Sequence, residues 1–521
     1  MDELKSLFAN ALVKFKDRTA VVFKGESLSY DELRKGANRV ARALNREGIG
    51  PNTPVALLMS NCLEYVIAFM GNIQAGATTI PMNDKLGEAE ILHILKDSGA
   101  KVIITDSHFV TIVQKIKDQL PDLRKIVALM PDDLCRDGVQ SWASFQSQQA
   151  DDAVGVNVQP EDKAVIVYTG GTTGLPKGVV HSQRNLVLNY FSHMIELNLQ
   201  DDEKILLTTP LPHSAGFVMA AGLLKGATHF IDDQFDPKVV LQKLENEAIT
   251  VTFMVPTMIY RLLDVVKSEE RDYQFRSLRT ILYGAAPITS VRPKQGIDVF
   301  GQVFMQLYGH TEAPNFITRL RKEDHMIDGP HEHRLKSCGQ PVLMAQVKII
   351  DEKGNEVPVG EAGEIAALTP YNMVEYYKQP EKTKETLKEG WLCTGDIGKM
   401  DEEGYIYLLD RKKDMIISGG FNVYTTEVEN AIQKHPGVSQ VAVIGIPHSD
   451  WGEAIMAIVV PKEGKTVTKA SIFEHSAKLL SKYKRPKEIV FVDHLPVTPY
   501  GKIDKKALRK PYWENAEREI N

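Results

Sequence analysis

The stretch Tyr168-Thr-Gly-Gly-Thr-Thr-Gly-Leu-Pro-Lys177-Gly178 constrains this chain more than any other. Gly170, Gly171 and Gly174 fall within five positions, and backbone without side chains can approach an anion closely and aim successive amides at it. Hydroxyls at Thr169, Thr172 and Thr173 add donors, and Lys177 adds a positive charge. The pattern reads as a loop that wraps phosphate, and so as a nucleotide site. It is not the P-loop of NTPases, which needs Gly-x-x-x-x-Gly-Lys followed by a Ser or Thr that holds magnesium. Pro176 stands where the last glycine would be and Gly178 follows the lysine, so the metal has to be held elsewhere. The flanks Ala164-Val-Ile-Val-Tyr168 and Gly178-Val-Val-His181 predict buried strands, which makes the loop a strand connection rather than a flexible spacer.

At 521 residues the chain exceeds what one hydrophobic core supports, so at least two domains are expected. Hydrophobic content of 43%, charged content of 25% and a net charge of -6 describe an ordinary soluble protein without polyanion-binding character, which argues against a nucleic-acid partner. Cys62, Cys135, Cys338 and Cys393 lie far apart with no C-x-x-C pair, as expected of free thiols in a cytoplasmic protein. The acidic start Met1-Asp-Glu-Leu-Lys5 lacks the features of a signal peptide. The longest charge-free run, Ile205 to Leu224, carries Pro210, Pro212 and His213 in its first half, and predicts a loop followed by a helix rather than a transmembrane segment.

Along the chain, strand-like runs at Val55–Met59 and Lys101–Thr105 alternate with helical patterns at Glu64–Ala75 and Val110–Leu120. A second alternating stretch follows the glycine loop, with helices at Asp236–Ala248 and Thr257–Val266 and strands at Thr250–Val255 and Thr280–Tyr283. Alternation of this kind predicts βαβ units and parallel sheets, whose sites lie at the carboxyl ends of strands. Past about residue 340, short strands at Val347–Asp351, Gly363–Leu368 and Gly404–Leu409 suggest a small antiparallel or barrel-like module. From about Lys413 onward, helices at Thr426–Lys434 and Ser471–Leu480 and strands at Val438–Ile444 and Glu453–Val460 form a compact α+β unit. The predicted class is α/β: a large N-terminal domain of βαβ-rich sheets with a β-barrel-like subdomain (residues 1–410), a hinge (411–413) and a small mobile α+β domain (414–521).

Seven segments in order carry a resemblance that covers essentially the whole chain. They are Tyr168 to Gly178, Pro210-Leu-Pro-His213, Tyr308-Gly-His-Thr-Glu312, Trp391-Leu-Cys-Thr-Gly-Asp396, Asp410-Arg-Lys-Lys-Asp414, Ser418-Gly-Gly420 and Pro499-Tyr-Gly-Lys502. The set resembles the adenylate-forming superfamily, and within it the acyl-CoA synthetases, with the glycine loop and Asp-Arg-Lys-Lys-Asp most similar to the fatty acyl-CoA ligases.

The resemblance implies ATP, Mg2+ and coenzyme A as the groups bound. It implies that Thr169, Gly170, Gly171, Thr172, Gly174 and Lys177 hold the β- and γ-phosphates, that Thr173 and Thr311 lie near the α-phosphate, and that Glu312 completes the magnesium site. Gly284, Ala285 and Ala286 give adenine a flat backbone to lie against, with Tyr308 as its stacking face. Asp396 and Arg411 hold the ribose hydroxyls, as a carboxylate accepting from a diol and a fork donor. Lys502 bridges the substrate carboxylate and the α-phosphate, although Tyr500 replaces the usual serine before Gly501. Lys413 is the hinge. Gly419 and Gly420 face the pantetheine arm in the second of two orientations of the small domain. His213 gates the approach of the acid.

Acetate-specific members place Trp after the tyrosine of the glutamate motif; Gly309 occupies that position here and implies an acid larger than acetate. Phe253 to Ile259, with Tyr283, are expected to wall its pocket. Medium- or long-chain fatty acids are the expected substrates, with aryl acids open. A carrier-loading adenylating enzyme lacks support because no insertion separates Asp410 from Asp414; a luciferase-like enzyme shares most of these motifs, and a silent nucleotide sensor has no use for Lys177, Glu312 and Lys502 together. A homodimer is left open.

Overall fold

The computed structural model describes residues 2–147, 149–169, 176–269, 271–284, 291–497 and 503–514. Within it two sheets of mixed α/β texture lie in one compact unit formed by Met1–Thr169, Leu175–Val347 and Ala367–Leu392. The first sheet runs, strand by strand, through 375–376, 177–182, 163–169, 78–82, 54–58, 102–106, 125–129 and 139–141. Its strands from 78–82 outward through 139–141 are parallel, and the pair 163–169 and 177–182 is antiparallel. The second runs through 340–341, 313–320, 304–310, 280–283, 251–254, 204–207, 228–231, 19–23 and 26–29, parallel in its interior and antiparallel at both edges.

Central strands such as Val55–Leu58 and Ile103–Ile104 are fully buried, which is why they read as continuous apolar runs rather than alternating ones. Local signals start and stop the covering helices. Ser29 caps Tyr30–Arg46 through a reciprocal pair with Glu32, and Gly76, at φ +72°, ends Leu63–Ala75 in the left-handed conformation that a side chain disfavours. The expected βαβ alternation and parallel sheets are therefore present. The run Ile205 to Leu224 departs from its expectation: it opens with the buried parallel strand Lys204–Leu207, turns at Leu211–Ala215, and only then enters the helix Gly216–Lys225. Among the described residues no helix is long and apolar enough to cross a membrane.

The other compact unit is formed mainly by Lys348–Ala366 and Cys393–Asn521. It contains the hairpin Trp391–Met400 with Ile406–Arg411, and a five-stranded α+β body in which 421–423, 416–418, 452–461 and 438–448 are neighbours and 488–491 joins 452–461 in parallel. The helices Thr425–Gln433 and Lys469–Leu479 cover that sheet through a core that includes Val428, Ile432, Ile455, Val459 and Ile472.

Candidate active site

The glycine loop closes a hairpin whose last described pair is Thr169 with Lys177. Gly170, Gly171, Thr172, Thr173 and Gly174 lie outside the described residues. Both feet of the loop are tied to one helix, Glu88–Ser98. Tyr168 donates its hydroxyl to Asp97 at 2.6 Å, and the Pro176 carbonyl accepts from Nε2 of His93 at 2.9 Å. Gly178 is required by packing, since a Cβ there would lie 2.7 Å from Ile166 and 3.1 Å from the Tyr168 ring.

Three of the predicted segments leave carboxyl ends of parallel strands in the second sheet, as expected for an α/β site. Gly284 follows Thr280–Tyr283 and presses its backbone against Leu307, which a Cβ would strike at 2.6 Å. Ala285 and Ala286 are outside the described residues. Tyr308, Gly309, Thr311 and Glu312 belong to the end of Phe304–His310 and the turn after it. Tyr308 is buried, with its hydroxyl 3.1 Å from Nε2 of His310.

The turn carrying Glu312 is held from the first sheet. Nε2 of His181 donates to the Thr311 carbonyl at 2.8 Å, and the Met373 amide donates to the Glu312 carbonyl at 2.7 Å. Burial pushes the His181 imidazole down to about 4, and its Nδ1 has no partner among the described residues. The Glu312 side chain accepts from the Tyr376 hydroxyl through Oε1 at 2.6 Å, while Oε2 accepts from no described residue. Lys177 sits over the face of the same tyrosine, its Nζ 4.3 Å from the ring centroid. Burial pushes the Lys177 ammonium down from its ordinary value, and the Glu312 carboxylate opposes that shift. Sheet register explains the meeting: Tyr376 pairs with Val179, and Lys177, two positions earlier on the same strand face, is its diagonal neighbour.

His213 is reached from the neighbouring segment. The amide of Asn83, buried beneath it, donates from Nδ2 to the His213 Nε2 at 2.8 Å. The backbone leading to His213 is fixed by Asn61, whose Nδ2 donates to the carbonyls of Thr209 and Asp232 at 3.0 and 2.9 Å and whose Oδ1 accepts from the Leu211 amide at 2.9 Å. Removing that side chain strands three backbone groups, two buried and one partly buried, and a buried group left unmade costs about 1–3 kcal/mol. Asn61→Ala is therefore expected to lower the unfolding free energy by about 2–4 kcal/mol, read as a shift of the urea midpoint; an unchanged midpoint would mean the segment is held by other contacts.

One expectation about the acid pocket needs correcting. Tyr283 has no exposed surface and bonds through its hydroxyl to Gln306 and His325 at 3.2 and 3.0 Å, and Phe253, Met254 and Ile259 are buried as well. These side chains are core, not wall; Val255 and Met258 are the partly exposed members of that segment and Thr257 the exposed one. Gly309 is also accounted for by packing, because a Cβ would fall 2.5 Å from the Asn315 backbone carbonyl carbon. Asn315 itself is at φ +64° and is locked by Nδ2 bonds to Nε2 of His193 and the Ser214 carbonyl, so that turn has little room to yield.

The second unit brings together its own share of the predicted residues. Asp396 and Arg411 are register partners across the hairpin, with the Arg411 Nε 3.2 Å from Oδ1 of the largely buried Asp396. Asp410 is buried and accepts from the amide and hydroxyl of Thr425; burial pushes its carboxyl up, opposed by the Lys505 ammonium. The Lys413 carbonyl accepts from Arg509 at 3.1 Å, and Arg509 also pairs with Asp414 at 2.8 Å. Gly419 and Gly420, at φ +59° and +82°, are the two central residues of a hairpin turn between the paired Ser418 and Phe421. Both need glycine for the turn itself, since two successive left-handed residues suit side chains poorly. Lys502 lies outside the described residues.

The family model described as AMP-binding enzyme matches residues 8–377, and the model described as AMP-binding enzyme C-terminal domain matches 427–502. The chain belongs to the AMP-binding enzymes. It is an enzyme of the adenylate-forming superfamily, in its acyl-CoA synthetase branch. It is 35% identical to a medium/long-chain-fatty-acid–CoA ligase, FadD8, of Mycobacterium tuberculosis, over 99% of this chain and 91% of the relative. It is 36% identical to a feruloyl-CoA synthase of an Amycolatopsis species, over 95% and 96% of the two chains. Among solved structures, ATP-bound MatB from Rhodopseudomonas palustris matches with a TM-score of 0.87 at 30% identity, covering 97% of this chain and 98% of that one.

His181, Asn61, Asn83 and Tyr376 bond to the predicted segments and are not singled out by the motifs. Only their places in buried strands or beside motifs could have hinted at them.

Proposed function

We propose that the protein is an ATP-dependent acid–CoA ligase whose substrate is a medium- or long-chain fatty acid. The observation that carries the ATP-dependent chemistry is the Lys177–Tyr376–Glu312 group at the base of the glycine loop, a cation and a carboxylate presented together without forming an ion pair, and the fatty-acid substrate is supported by the 35% identity to a protein named as a medium/long-chain-fatty-acid–CoA ligase. ATP use is supported by the family and by the ATP-bound neighbour.

The residues fit magnesium. A hard cation of this kind takes one or two carboxylates together with phosphate oxygens and water, and Glu312 offers one carboxylate oxygen without a described partner. Bound there with ATP, the ion would neutralise phosphate charge. The remaining work falls to the chain. Lys177, with Thr169, Gly170, Gly171, Thr172 and Gly174, would hold the β- and γ-phosphates, and Thr173 and Thr311 the α-phosphate. Asp396 and Arg411 would hold the ribose, and Tyr308, Gly284, Ala285 and Ala286 the adenine.

A carboxylate is a poor electrophile, so its oxygen first attacks the α-phosphorus as the bond to pyrophosphate breaks. The thiol sulfur of coenzyme A then attacks the acyl carbonyl and AMP departs. Lys502 would bring the two anions of the first step together, since catalysis here is mainly positioning and preorganised positive charge. Lys413 would serve as the hinge at 411–413 between the body and a C-terminal domain from 414, which would present Gly419 and Gly420 to the thiol arm in the second step.

An aryl acid is the second reading, favoured by the 36% identity to a protein named for feruloyl-CoA. Pyrophosphate release with ATP, coenzyme A and either octanoate, palmitate, benzoate or ferulate separates the two. The expected result is kcat/KM at least tenfold higher for a fatty acid than for either aryl acid; the reverse order would assign the enzyme to aryl acids. Replacing coenzyme A by a phosphopantetheinyl carrier protein tests the acceptor in the same assay.

A further inference from the structure

We infer that Tyr376 is a positioning residue that keeps Lys177 and Glu312 apart and aimed in one direction, the lysine toward phosphate and the glutamate toward the metal. The inference rests on the proposed reading of this site as the place where ATP and magnesium bind.

An ammonium and a carboxylate brought to the same side chain, here from strand 177–182 of one sheet and from the turn after 304–310 of the other, ordinarily close into an ion pair that neutralises both. Here they do not: Lys177 and Glu312 form no ion pair, although the Glu312 charge still acts on Lys177. Tyr376 stands between them. Its ring face carries Nζ at 4.3 Å, an attraction of the cation to the negative face of the aromatic quadrupole. Its hydroxyl satisfies Oε1 of Glu312 at 2.6 Å and fixes the carboxylate plane, leaving Oε2 as the available oxygen. The tyrosine is itself immobilised: it is buried, its backbone amide accepts no freedom because it donates to Oγ1 of Thr383 at 2.9 Å, and its strand is stitched to 177–182. Support of a metal-binding carboxylate by a hydrogen-bonded neighbour is commonly worth 10–100-fold in metal affinity.

Two substitutions separate the two halves of this role. Tyr376→Phe keeps the ring under Lys177 and removes only the hydroxyl. Tyr376→Leu removes both and lets Lys177 fall onto Glu312. Calorimetric titration with ATP alone and with Mg·ATP, needing neither acid nor coenzyme A, reads binding directly, and Mn2+ titration followed by electron paramagnetic resonance reads the metal. For Tyr376→Phe, affinity for ATP alone is expected to stay within about twofold of the parent while Mn2+ affinity in the presence of ATP falls by about tenfold. For Tyr376→Leu both affinities are expected to fall, with thermal melting showing that each variant is folded. A Phe variant with the parent's metal affinity would overturn the role of the hydroxyl, and a Leu variant with the parent's affinity for ATP alone would overturn the separation of charges. If the parent protein bound Mg·ATP and formed acyl-adenylate while both variants matched it, this inference alone would fail; a parent unable to bind Mg·ATP would remove the proposed function with it.

Discussion

Lys502→Ala is expected to lower the rate of acyl-adenylate formation by about 10²–10³, while leaving conversion of supplied acyl-adenylate to thioester near the parent rate. The reason is electrostatic. Only the first step forces a carboxylate against a phosphate, and one preorganised cation aimed at the developing charge is worth about 3–4 kcal/mol there. Pyrophosphate exchange reads the first step and thioester formation from synthetic acyl-adenylate the second. The complementary variant is Gly420→Leu, expected to impair the second step and spare the first. Because Gly420 is at φ +82° with open space where a Cβ would point, Gly420→Ala is the control: it imposes the backbone strain of the hairpin turn without bulk. A larger second-step loss for Leu than for Ala assigns the effect to obstruction of the thiol. Equal failure of Lys502→Ala and Gly420→Leu in both steps would rule out two separate roles.

The second large effect is acid sensitivity of the fold. His181, His193, His229 and His325 are buried in the large unit, and burial pushes each imidazole down to about 4. In the unfolded chain the same groups titrate near 6.5. Between those values the unfolded state binds more protons than the folded one, so stability rises with pH; it is fully present above about 6.5 and is lost as pH falls toward 4. Four groups that bind a proton only on unfolding give a slope approaching about 5 kcal/mol per pH unit, comparable with the whole stability of many domains. The melting temperature is expected to drop steeply from pH 7.5 to 5.5. His229 is a clear test case, fully buried with its Nδ1 3.1 Å from the Ala20 carbonyl. His229→Gln should flatten the slope by roughly a quarter, whatever it does to stability at neutral pH. A melting temperature independent of pH across this window would contradict the assignment.

Much of the fold is legible in the sequence because its signals are local. Continuous apolar runs between turn residues mark the parallel strands, and the glycine loop with its flanks marks a strand connection. The pairing of Asp396 with Arg411 follows from motifs that lie on one hairpin. What escapes is long-range. Tyr376 reaches Glu312 across 64 residues, His181 reaches Thr311 across 130, and Asn61 reaches Thr209 across 148. No spacing rule within one segment encodes such meetings. The expected acid wall differs from the structure for a related reason: an apolar strand end such as Tyr283 looks the same in sequence whether it faces a ligand or the interior. Glycines answer to two demands at once. At 309 a close backbone neighbour and at 420 a left-handed turn call for glycine independently of any substrate that passes there.

Fastening both ends of the glycine loop to His93 and Asp97, one turn apart on a single helix, has a practical corollary for redesign. The anchor points sit at 168 and 176 and do not depend on which residues fill the span between them. Loops of equal length from other members of the superfamily should graft onto this scaffold without shifting its feet, whereas altering the helix would disturb every loop placed there.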